Sequence, residues 1–187
     1  ILLSGPVPGL SVPRSSLRPA TRLRGIARRP PWVRRKRPRG EGNLGVQIRT
    51  SEASWEGPLR EGKGRFWTES GEVSGVYSFS TRFEEQEGSN PEELIGAALA
   101  SCFSMKLAGD VGAADYKPES VRTVATVRLD KGESGFAITG VDLDTEARIP
   151  GIDPAEFEKI AQSAKDNCPV GRALAAIPIS LRARLSA

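Results

Sequence analysis

The chain has 187 residues, with 27 Lys+Arg against 23 Asp+Glu and no histidine. That length suits one domain with a real core, perhaps carrying an extension, while the missing histidine excludes Ser-His-Asp and Cys-His catalysis. Its 2 cysteines are too few for a disulfide-stapled scaffold or an ordinary zinc site.

Charge is unevenly spread. The first forty residues hold eleven of the 27 Lys+Arg, seven of the 14 prolines and no acid, which leaves 16 bases against 23 acids, a net of −7, in the rest. Polyanion binding by the whole chain is therefore not expected, and nucleic acid is not an expected partner. Residues 1–46 show no sustained helical or strand period, and "RRKRPR" repels itself into an open coil. Such composition fits a nucleic-acid arm or a transit peptide, but the expectation is a disordered basic extension. Residues 47–187 are the expected folded domain. No unbroken run of about 18 apolar residues occurs, so no membrane span is expected.

From "VQIRTSEASWEG" the texture changes. "GRFWTES" and "GVYSFSTRF" are aromatic and β-branched runs between glycine-rich turns, which predicts an antiparallel meander. "SNPEEL" then starts a helix, with Asn90 as N-cap, Pro91 at N1 and Glu93 at N3, running to about Gly109. Leu94, Ala98, Cys102 and Met105 share one stripe, and Ile95, Leu99 and Phe103 widen it, as expected of a central buried helix. "SVRTVATVRLD" and "FAITGVDLDTEARI" alternate as a strand pair, and a change of parity near Gly140 predicts a bulge. A second helix follows from Asp153 and Pro154, its stripe of Phe157, Ile160, Ala161 and Ala164 leading in phase to Cys168. "PVGRALAA" predicts a short helix and "IPISLRARL" a last strand. The order gives an α+β fold, with antiparallel sheets around a buried central helix.

A free cysteine is most often a small, inert core residue. Here, however, Cys102 and Cys168 lie on the apolar stripes of two helices and could face each other, although spacing alone does not bring them within disulfide reach. Cys168 also directly precedes Pro169, so a helix N-terminus is expected to favour its thiolate.

"SWEGPLREGKG", "FSTRFE", "NPEELIGAALASCFSM", "LDKGESGFAIT", "PGID" and "NCPV" together resemble the osmotically inducible protein C branch of the OsmC and organic-hydroperoxide-resistance peroxidases. The resemblance runs from about Arg49 to Leu185. It implies a cytoplasmic, two-cysteine peroxidase for organic hydroperoxides, with no bound cofactor and a thiol reductant such as a lipoylated protein. On it, Cys102 is the peroxidatic thiol, Cys168 the resolving thiol, and Arg82 and Glu92 the active-site ion pair. The chemistry is consistent: a buried thiol stays protonated unless a cation faces it, and a mid-helix position gains little from the dipole. Arg82, held by Glu92, supplies that cation. Leu94, Leu99 and Phe103 are expected to line the site and favour alkyl substrates. The competing reading is a non-catalytic ligand-binding scaffold with a structural cysteine pair.

Helix geometry adds one expectation. Glu92 and Cys102 are ten residues apart on one predicted helix, roughly 15 Å along its axis. If both serve one site, either the helix breaks or the glutamate comes from another chain. With no proline between them, an intertwined homodimer is expected, its sites shared between subunits.

Overall fold

Short β-forming runs punctuated by glycine fold as expected into strands β1 (Ser51–Glu56), β2 (Lys63–Thr68) and β3 (Ser74–Ser78), an antiparallel sheet in that order. The computed structural model describes residues 45–186, so the expected basic extension falls, up to residue 44, outside the described residues. Gly64 is required in β2 because the Tyr77 ring lies where a Cβ would stand. Trp55 tilts against that ring at 5.5 Å, and the Tyr77 hydroxyl donates to Ser54 O at 3.1 Å. This meander packs on little else in its own chain; Val73 and Val76 are exposed.

The run "FSTRF" was expected to continue the third strand. It forms a short helix instead, α1 (Phe79–Phe83). The reason is a reciprocal cap: Ser78 Oγ accepts from Thr81 N, and Thr81 Oγ1 accepts from Ser78 N. Thr81 also donates to Ser89 O at 2.8 Å, and Gly88, at φ +153, lies so close that any Cβ would meet the Thr81 methyl.

Helix α2 (Pro91–Ala113) begins where predicted, with Asn90 Oδ1 accepting from Glu93 N at 2.8 Å, and runs a turn past Gly109. It packs along β4 (Ser120–Gly132), whose antiparallel partner is β5 (Gly135–Arg148); in that pair Thr139 is the extra residue of a bulge beside Gly140. Helices α3 (Pro154–Asn167) and α4 (Pro169–Ala173) lead to β6 (Ile179–Leu185). The sheet order is β4-β5-β6, and β6 runs parallel to β5. The expectation of purely antiparallel sheets is therefore corrected. The α3–α4 crossover supplies the long connection that a parallel pair needs.

The core lies between α2, α3 and the sheet: Leu99, Phe103, Leu107 and Val111 from α2 meet Val141, Leu143 and Ala147 from β5 and Phe157, Ala161 and Ala164 from α3. Each fully covered large side chain there contributes about 1.5–3 kcal/mol. The predicted all-round burial of α2 is not met within one chain. Ala97, Ala98, Ser101, Met105, Gly109 and Gly112 are exposed, Met105 at 74%. Among the described residues α2 alone is long and apolar enough to cross a membrane, although its 18-residue window (mean hydropathy 1.4) is only 28% buried. Reading only unbroken apolar runs understated that apolarity, because small residues and single charges interrupt it.

Candidate active site

The phase of two apolar stripes brings the thiols together. Cys102 projects from mid-α2, while Cys168 stands one residue beyond α3, as its C-cap and the N-cap of α4. Their sulfurs are 3.1 Å apart, with Cys168 donating to Cys102. Both thiols are free; Cys102 is half-buried and Cys168 is 1% exposed. Gly171 faces the Cys168 Cβ and a Leu99 methyl at ordinary van der Waals distance.

Burial pushes the Cys168 thiol above its ordinary range, and its contact with Cys102 adds to the rise. The amides of Gly171 and Val170 pull the other way but do not prevail. The α4 N-terminus thus favours a Cys168 thiolate in the expected direction, but burial outweighs it. α4 has only five residues, and Cys168 makes no side-chain capping hydrogen bond to it. In the sulfur–sulfur contact Cys168 donates and Cys102 accepts.

The ion pair forms a second cluster. Arg82 Nε donates to both Glu92 oxygens at 3.2 Å, and Arg82 Nη2 donates to Oε1 at 2.7 Å. This fork holds the guanidinium plane from one side. The Phe83 ring lies 5.1 Å away on another. Glu92, at the second position of α2, is 9% exposed, whereas the Arg82 side chain remains 36% exposed. Glu92 therefore orients Arg82 and leaves its charge accessible.

Within one chain the structure joins Cys102 to Cys168 and Arg82 to Glu92. It does not join the two pairs, because α2 continues unbroken from Glu92 to Cys102. Of the expected apolar lining, Leu99 and Phe103 are 1% and 0% exposed in the core, whereas Leu94 is half-buried. The aromatic group around Arg82 was not anticipated. Phe79, Phe83 and Phe136 stack in a row, with centroids 4.9 and 4.6 Å apart. The phenylalanines of "FSTRF" were visible, but their helical spacing was masked by the strand reading.

Comparison with known proteins identifies the family and the fold. The family described as OsmC-like protein matches residues 84–182. The chain is 51% identical over 126 residues to peroxiredoxin OsmC of Escherichia coli (strain K12), covering 67% of this chain and 88% of that one. It is 28% identical over 88 residues to the organic hydroperoxide resistance protein of Xanthomonas axonopodis pv. citri (strain 306), covering 46% of this chain and 60% of that one. Among solved structures, an OsmC-like protein of unknown function from Vibrio cholerae superposes with a TM-score of 0.61 at 18% identity, over 74% of this chain and all (100%) of that one. The organic hydroperoxide resistance protein OhrB of Bacillus subtilis gives 0.56 at 22% identity, over 73% and 98%. The fold is theirs, and sequence places the branch: the chain belongs to the OsmC family, on the side of OsmC itself.

Proposed function

We propose that this chain is a two-cysteine peroxidase that reduces organic hydroperoxides. The observation that carries the reading is the reduced sulfur pair at 3.1 Å, in which a covered Cys168 donates to a more accessible Cys102. A relative named peroxiredoxin, at 51% identity, supports it.

In this mechanism the Cys102 thiolate attacks the terminal oxygen of ROOH. An S–O bond forms as the O–O bond breaks, and the departing alkoxide takes a proton to leave as ROH. Sulfur loses two electrons and the peroxide gains them. Cys168, once deprotonated, attacks the Cys102 sulfenic sulfur; the S–S bond forms, the S–O bond breaks, and water leaves. A dithiol reductant then returns both cysteines to thiols by exchange, and lipoylated proteins are the class the family implies. A reducing, cytoplasmic setting suits thiols that must begin each cycle reduced.

Arg82 supplies the positive charge for the Cys102 thiolate and the departing alkoxide. Because about 15 Å of unbroken helix separates Glu92 from Cys102, that arginine belongs to a second subunit. Each site of the proposed homodimer combines Cys102 and Cys168 with Arg82 and Glu92 of the partner subunit. The exposed small-residue face of α2 and the sparsely packed meander supply the surfaces such a dimer covers. Residues 1–46 are read as an extension separate from this catalytic domain, on composition.

Free-thiol titration after one equivalent of cumene hydroperoxide tests the function. The peroxidase loses both thiols rapidly, whereas a ligand-binding scaffold keeps them.

A further inference from the structure

The β4–β5 hairpin is longer than its sheet needs. β6 pairs with β5 only over Val141–Ala147, yet β4 and β5 continue past the Thr139 bulge, from Leu129 opposite Ile138 to the Gly132–Gly135 turn. A two-stranded ribbon with no third strand is marginal alone, and a bulge at its base re-aims what lies beyond. Gly140 stands beside that bulge, where a Cβ would come within 3.2 Å of the Pro178 carbonyl oxygen. Near the tip stands Phe136, a large apolar residue left 52% exposed.

The ribbon delivers Phe136 to α1. Its ring is 4.6 Å from Phe83, whose other neighbour Phe79 is at 4.9 Å. Arg60, from the β1–β2 connection, stacks over the far end of the row, 4.7 Å from the Phe79 centroid. The Phe83 ring in turn lies 5.1 Å from the Arg82 guanidinium carbon. Helix α1 has only five residues, too few to hold an arginine on propensity alone. Its catalytic cation is thus fixed by Glu92 on one side and by a braced phenyl ring on the other.

We propose that Phe136 is a positioning residue for Arg82: the hairpin tip clamps Phe83, and Phe83 keeps the guanidinium in the plane the Glu92 fork sets. This rests on Arg82 being the group that stabilises the Cys102 thiolate. Phe136 touches the arginine only through Phe83, so its removal should loosen the cation without removing it. A tilted aromatic contact such as that of Phe136 with Phe83 is worth up to about a tenfold change in rate.

The test uses the full chain carrying Phe136→Ala or Phe136→Tyr, with two readouts. One is kcat/KM for cumene hydroperoxide. The other is the pH profile of Cys102 alkylation, measured in a Cys168→Ser background so that a single thiol reports. Phe136→Ala should lower kcat/KM about tenfold, mainly through kcat, and move the alkylation profile to higher pH; Phe136→Tyr should restore both. A lower melting temperature with both readouts unchanged would reduce Phe136 to a structural prop and overturn the proposal. A raised KM with an unmoved alkylation profile would make it a substrate contact and overturn it equally. If the wild-type chain consumed no hydroperoxide, the function would fall, while the alkylation profile, which needs no peroxide, would still decide the role of Phe136.

Discussion

Glu92 and Cys102 stand on one continuous helix, α2, and face different partners: Glu92 grips Arg82, and Cys102 receives a hydrogen bond from Cys168. In the proposed mechanism, half of the chemistry lies at each end of the helical stretch between them. A single subunit cannot fold one half onto the other without breaking that helix.

Mixing Cys102→Ser subunits with Glu92→Ala subunits should therefore restore activity that neither variant has alone. In the mixed dimer one of the two sites carries every wild-type part. Activity measured after confirmed subunit exchange should approach a quarter of the wild-type value at equal mixing, since about half the dimers are mixed and each has one intact site. No recovery would place the whole site within one chain.

The raised Cys168 thiol predicts how the second step depends on pH. Disulfide formation needs the Cys168 thiolate, so its rate should keep climbing with pH above the ordinary thiol range. Stopped-flow fluorescence after a single equivalent of peroxide separates that step from sulfenic acid formation. The same shift has a stability consequence. A folded pKa above the unfolded one gives stability that is fully present below the unfolded value and lost as pH rises through the folded one. The melting temperature of the reduced wild type should fall more steeply on the alkaline side than that of Cys168→Ser; parallel curves would contradict the shift.

Much of this arrangement was readable in the sequence because it is locally encoded. Asn90-Pro91 and Asp153-Pro154 announce α2 and α3 by capping chemistry that needs no tertiary partner. The parity break at Gly140 announces the bulge. The rest depends on partners that a local pattern does not name. Met105 and Ala98 continue an apolar stripe, but periodicity cannot tell a face covered by the same chain from one awaiting a second subunit. β6 reads as a strand, yet its parallel direction is decided by the α3–α4 crossover. Phe79 and Phe83 have high strand propensity, and the Ser78–Thr81 cap overrides it. Leu99 and Phe103 were assigned to a substrate wall because apolar residues near a cysteine look alike until their neighbours are known.

A partly buried hydroxyl chain should carry measurable stability. Ser104 Oγ donates to Thr123 Oγ1 at 2.7 Å, Thr123 and Thr145 share a bond of 2.8 Å, and Thr145, 0% exposed, donates to Arg122 O at 3.1 Å. This ties α2 to both β4 and β5 inside an otherwise apolar core. Thr145→Val removes the Oγ1 bonds to Thr123 and to Arg122 O inside a covered site and should cost about 1–3 kcal/mol in urea denaturation. Thr123→Val with Thr145→Val should cost less than the sum of the two single changes, because both ends of one bond are removed together. Strict additivity would show that the hydroxyls act independently.

Deleting residues 1–46 should leave melting temperature and hydroperoxide turnover unchanged, since that segment has no apolar period with which to pack. Differential scanning calorimetry of the two forms checks it. A large loss of melting temperature would make the extension part of the fold.

The most direct measurement is the intact mass of each cysteine variant after one equivalent of cumene hydroperoxide. The account predicts that the wild type loses two hydrogens as Cys102 and Cys168 join, and that Cys168→Ser gains one oxygen on Cys102 and stops there. Cys102→Ser should stay unchanged. Oxygen appearing on Cys168 in the Cys102→Ser protein, at the wild-type rate, would contradict the assignment of the two sulfurs and with it the mechanism.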